Sequence, residues 1–174
     1  MNLTGWYKRW RHGRGFGVHS PSAYRLVREV LRLDPSYGFY AYADISRASH
    51  WRPSLISIPE LEMIYRLLVD FRPASVAIYA DESRSILEAV VSLALPSAKI
   101  VADGGEFAIV EGKYQADSLL GEPCPKQVYF TYSKNPLLEQ LWARAERGHL
   151  FRNPSRALLQ LDDRLPRECF EIRF

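Results

Sequence analysis

The apolar positions of this chain follow two rhythms, a helical one and the unbroken run of a strand buried on both faces. Both meet between Ala74 and Leu93. After Pro73, Ser75-Val76-Ala77-Ile78-Tyr79-Ala80 reads as a strand covered on each side. Asp81-Glu82-Ser83 breaks it, and Ile86, Leu87, Val90, Val91 and Leu93 then recur at helical spacing until Pro96. Ser83 or Ser85 is the expected N-cap. Strand, tight loop and helix open a nucleotide-binding α/β unit, whose loop is normally glycine-rich so that backbone can approach a ligand. Here the loop has no glycine.

Upstream, Ser20-Pro21 sets an N-cap beside a proline at the first helical position. Tyr24, Val27, Val30 and Leu31 form the apolar stripe of that helix, which Asp34-Pro35 ends. Residues 36–58 carry no clear period, but Tyr37, Phe39, Tyr40 and Tyr42 predict packing on the body. Pro59 starts a second helix, with Leu61, Ile64, Tyr65, Leu68 and Val69 on one face and its end before Pro73.

Downstream, residues 98–103, 107–111 and 127–132 read as strands. Only a tight turn at Gly104-Gly105 joins the first two. Either they pair as a hairpin or a βα unit has been lost, because a parallel crossover ordinarily needs a dozen residues. Residues 121–125 read as a loop. Asn135-Pro136 caps a helix carrying Leu137, Leu138, Leu141 and Trp142, ended by Gly148. Residues 157–161 and 169–174 are expected to close the sheet as an antiparallel pair across Asp162-Asp163-Arg164. The fold class expected is α/β, a Rossmann-like mixed sheet with flanking helices. Residues 1–58 form an N-terminal extension and 59–174 the Rossmann-like domain.

Composition narrows the class further. At 174 residues, 47% hydrophobic and 25% charged, the chain has the make-up of one ordinary globular domain. No apolar run reaches the roughly 18 residues of a membrane span, and the start lacks a signal peptide's apolar stretch. Cys124 and Cys169 have no metal-ligand spacing, which points to reduced thiols and a cytoplasmic location. Residues 1–32 carry seven basic side chains against Glu29, giving +6. The whole chain's +3 leaves −3 for the remainder. A basic arm on a mildly acidic body raises the question of an anionic partner.

Three stretches resemble a bacterial group of class I S-adenosylmethionine-dependent methyltransferases. Arg11-His12-Gly13 with Gly17-Val18-His19-Ser20-Pro21 is similar to that group's N-terminal signature, with Ser22 where an aromatic usually follows the proline. The helix over 59–70 leading into the strand at 75–80 matches the approach to the cofactor loop. The ending Phe170-Glu171-Ile172-Arg173-Phe174 is similar to the group's last strand. The resemblance implies an acidic, glycine-bearing loop after the first strand, where this chain has Tyr79-Ala80-Asp81-Glu82-Ser83-Arg84. It implies an acid after the second strand for the ribose hydroxyls, here Asp103. It also implies an Asp-containing motif in the fourth-strand region, for which Val110-Glu111-Gly112-Lys113-Tyr114 is the nearest match. On this reading Asp81, Glu82, Asp103 and Glu111 are a vestigial cofactor set in a reduced, degenerate member.

Three functions follow as expectations. The first is a methyltransferase-like protein that has lost cofactor binding and catalysis and serves as a binding or scaffold module for a protein or small molecule. The second is a working S-adenosylmethionine-dependent methyltransferase of unknown substrate. The third is a nucleic-acid-binding module in which Lys8, Arg9, Arg11 and Arg14, interleaved with Trp6, Tyr7, Trp10 and Phe16, grip phosphates and stack on bases. Each candidate residue has a plainer role as well. Asp81 and Glu82 suit a helix N-terminus, Asp103 a turn, and Asp162-Asp163 a solvated loop rather than a cation site. His12 and His19 read as structural histidines rather than general bases, and Ser20 as an N-cap rather than a nucleophile. No metal site is expected, and self-association is left open.

Overall fold

The computed structural model describes residues 20–32, 40–51, 55–121 and 124–174. Its centre is a seven-stranded mixed sheet in the order β2-β1-β3-β4-β6-β5-β7. The strands are β1 (Ser75–Tyr79), β2 (Lys99–Val101), β3 (Phe107–Val110), β4 (Gln127–Phe130), β5 (His149–Arg152), β6 (Ala157–Gln160) and β7 (Glu168–Glu171). β6 alone runs against its neighbours β4 and β5, and all other pairings are parallel. The architecture is α/β and Rossmann-like.

The strands are continuous apolar runs because both faces are covered. Val76, Ile78, Phe107, Ile109 and Tyr129 point to one cluster, and Ala77, Tyr79, Ala108, Val110 and Phe130 to the other. The first face takes α1 (Pro21–Arg25, continued as a π-helix Leu26–Leu31), α2 (Tyr40–Trp51), α3 (Ile58–Phe71) and α4 (Arg84–Ala94). The second takes a 3₁₀ turn (Asp117–Leu120) and α5 (Pro136–Arg144). Among the described residues no helix is long and apolar enough to cross a membrane.

Local chemistry explains most boundaries. Ser20 accepts a hydrogen bond from Ala23 N–H at 3.4 Å, and Pro21 follows at N1. Asn135 Oδ1 accepts from Leu137 N–H at 2.9 Å, again with proline next. α3 ends on Arg72 in the left-handed conformation, before Pro73. The π-helical turn leaves the Val30 carbonyl to an outside donor, and Arg66 Nε supplies it at 2.8 Å.

Several expectations need correction. Tyr24 is 44% exposed; the buried face of the first helix is Ala23, Leu26, Val27, Val30 and Leu31. An antiparallel pair does close the C-terminal half, but its members are β5 and β6. Residues 157–161 and 169–174 never pair with each other, because β5 lies between them and meets β7 in parallel. The strand at 149–152 was hidden behind Gly148. That residue, with φ 122°, sits at the mouth of β5, while the preceding helix has already ended at Arg144.

The hairpin alternative for residues 98–103 and 107–111 also fails. β2 and β3 flank β1 on opposite sides and both run parallel to it. Five residues, 102–106, make the crossover without a helix. Gly105 permits this, since a Cβ there would stand 2.7 Å from the Ala77 backbone nitrogen and 3.0 Å from the Val76 carbonyl carbon. Glu106 anchors the end of the crossover: its carboxylate accepts from Ala74 N–H at 2.8 Å, and its own N–H donates to Ser75 Oγ at 3.1 Å.

Candidate functional site

Parallel strands deliver their carboxyl ends to one edge, where open α/β sheets bind ligands at the point where strand order reverses. Here that point lies between β1 and β3, and the residues meeting there are the 80–83 loop and Glu111-Gly112. Glu111 leaves β3 with its backbone N–H on the Tyr79 carbonyl at 2.9 Å. Its side chain turns into the neighbouring loop. Oε2 accepts from Asp81 N–H at 3.1 Å and, more weakly, from Ser83 N–H at 3.4 Å. Oε1 is buried without a hydrogen-bond partner. The protein's own carboxylate therefore occupies the amide donors at the start of α4, the place where a glycine-rich loop would present them to a ligand.

Ser83 completes the closure. It stands at the N-cap position of α4 and is fully buried, but its hydroxyl makes no cap bond. Its Oγ accepts instead from Leu55 N–H at 3.0 Å, which ties the segment before α3 onto the loop. Arg84 Nη1 donates to the Ile78 carbonyl at 3.1 Å, and its Nε to Glu88 at 3.0 Å. Asp81 and Glu82 themselves are exposed.

Asp103, the second residue of the short crossover, is exposed and also hydrogen-bonded. Its Oδ1 accepts from Ser118 Oγ at 2.6 Å and from Tyr79 Oη at 3.1 Å. Burial raises the Tyr79 phenol above its ordinary pKa; the Asp103 carboxylate adds to this, while the bond from Ser118 opposes it. The Tyr79 ring lies 6.2 Å from that of Tyr114. Behind it, Asn135 Nδ2 donates to the Gly112 and Tyr114 carbonyls at 3.1 and 3.3 Å, and Gly112 N–H donates to Thr131 Oγ1 at 2.8 Å.

No family model matches the chain, and no curated protein or solved structure matches it.

The candidate acids thus have distinct fates. Glu111 and the loop bearing Asp81 and Glu82 come together through backbone donors. Asp103 belongs to a separate cluster with Tyr79 and Ser118. Asp162 is held by Arg164, which donates to it from its backbone N–H, Nε and Nη2 at 2.9, 2.9 and 2.7 Å, so the carboxyl is lowered to about 2. Arg9, Arg11, Arg14, His12 and His19 lie outside the described residues. Among the described residues no three His, Cys, Asp or Glu side chains gather as metal ligands would.

A second polar cluster escaped the sequence reading. Tyr129, fully buried on β4, donates its hydroxyl to Glu60 Oε1 at 2.6 Å, and Arg156 stands 3.7 Å from Glu60 Oε2. Burial, reinforced by the Glu60 charge, raises the tyrosine well above its ordinary pKa. One signal was available: Glu60 precedes Ile64 by four residues and Leu67 by seven, which puts a carboxylate on the apolar face of α3.

Proposed function

We propose that this chain is a methyltransferase-like protein in which cofactor binding and catalysis have been lost, retained as a binding or scaffold module. One observation carries the reading: the Glu111 carboxylate accepts the amide hydrogens of the loop between β1 and α4. A ligand carboxylate seeking those donors must displace a buried charge-assisted bond, which is about twice as strong as a neutral one. It must also approach Asp81 and Glu82 on the same loop, against like-charge repulsion. The acid available for ribose hydroxyls, Asp103, is already engaged by Tyr79 and Ser118. Side chains at every position from Tyr79 to Arg84 deny the close backbone approach that glycine allows.

The test is a thermal melt with millimolar S-adenosylmethionine or its demethylated product. A ligand at a hundred times its dissociation constant stabilises the fold by about 2.7 kcal/mol. The expected outcome is no shift with either compound. A clear, concentration-dependent rise in melting temperature overturns the reading in favour of a working methyltransferase with an altered loop.

A further inference from the structure

At the far end of the sheet, a buried imidazole faces one buried oxygen of a half-exposed carboxylate with no hydrogen bond between them. His149 opens β5 and is 0% exposed, and neither ring nitrogen has a hydrogen-bond partner. Its register partner on the edge strand β7 is Glu168, whose Oε2 is also buried and unpartnered, 3.7 Å from His149 Nε2. Phe151 and Phe170 meet the imidazole edge-on, with ring centroids 5.8 and 5.4 Å away.

The other groups that face the imidazole are few. Gln160 lies across it on β6 and is uncharged. Asp162, in the turn after β6, acts on it through charge but has its carboxylate engaged by Arg164. The cations of this connection are committed elsewhere: Arg164 to Asp162, and Arg167 to the Ala145 and Trp142 carbonyls. A buried polar group without a bond is costly, and a buried charge costs more.

We propose that His149 and Glu168 form a proton-operated clasp on the edge strand: the neutral imidazole lets β7 seat against β5, and charging it loosens that seam. The neutral ring suits a pocket walled by two phenyl rings. An imidazolium there has one carboxylate oxygen beyond hydrogen-bond distance to offset its lost hydration. Burial lowers the histidine's pKa from 6.5, with Glu168 and Asp162 pulling the other way. A lowered folded pKa means the stabilisation is complete above the unfolded value and is lost as pH falls through and below it. β7 is the element positioned to respond, because among the described residues it lies at the sheet edge and pairs only with β5.

Hydrogen exchange at the Glu168 and Ile172 amides, which donate to the Gly148 and Arg152 carbonyls, reads the seam directly. Their protection relative to Glu111 N–H should fall severalfold from about pH 7.5 to about pH 5.5, across the ordinary histidine range. His149→Phe should hold the ratio level. If that variant fails to fold, His149→Gln and the imidazole titration of the unmodified chain decide instead. Glu168→Gln should lower the titration of His149, deepen the loosening and extend it to more acidic pH. The clasp is overturned by a constant ratio in the unmodified chain, an equal fall in either His149 variant, or a His149 pKa at or above 6.5. No response of that pKa to Glu168→Gln also overturns it.

Discussion

Replacing Glu111 with alanine removes the carboxylate that ties the 80–83 loop at the carboxyl end of the parallel strands, and the structure sets the expected cost. Two amide donors lose their acceptor, one at a good 3.1 Å and one at a marginal 3.4 Å. A net hydrogen bond to a charged group is worth about 1.5–3 kcal/mol. A negative charge at a helix N-terminus adds about 0.3–1 kcal/mol. Against these stands Oε1, buried without a partner, whose removal relieves a desolvation penalty of about 1–3 kcal/mol. The difference leaves a net loss of about 1–2 kcal/mol. For a chain of this size that is a fall of roughly 3–6 °C in Tm. Glu111→Gln keeps one acceptor and should lose less than alanine. Urea unfolding followed by far-ultraviolet circular dichroism measures both, at an unchanged slope if the native and unfolded states keep their compactness. If Glu111→Ala matches the unmodified chain to within about 0.5 kcal/mol, the ordinary range for inert surface changes, the carboxylate does not hold the loop. The functional reading then loses its basis.

Other perturbations test separate parts of the structure. Gly105→Ala should cost about 1–3 kcal/mol, the range for overpacking, because the new methyl would meet strand backbone rather than a movable side chain. A neutral result in chemical denaturation would disprove the close passage of residues 102–106 over β1. Tyr129→Phe leaves Glu60 buried without its 2.6 Å donor and should destabilise by about 1–3 kcal/mol. An unchanged denaturation midpoint would show that Arg156 alone suffices for that carboxylate. Ser20→Ala should cost at the low end of the cap range, about 0.5–1 kcal/mol, since the cap bond is a long 3.4 Å. A loss above about 2 kcal/mol would mean that Ser20 does more than cap.

Much of the architecture was written locally. Proline after serine or asparagine marked two helix starts, and uninterrupted apolar runs marked strands covered on both faces, so the α/β class followed from residues near each other in sequence. The pairing of strands did not, because His149 to Arg152 is too short to separate from a helix tail, and its partners lie at 157–160 and 168–171. Residues 40–51 form a helix with no strong period, and their aromatic content indicated burial without indicating shape. The glycine-free loop could be seen in the sequence, together with the acids around it. Which groups those acids touch depended on the tertiary structure. Glu111 lies 30 residues from the Asp81 amide it accepts, Ser118 lies 15 from Asp103, and Glu60 lies 69 from Tyr129. A buried carboxylate takes whichever donor the packed strands and helices place beside it. Local sequence determines a residue's own charge and propensity, and the folded sheet determines its neighbours.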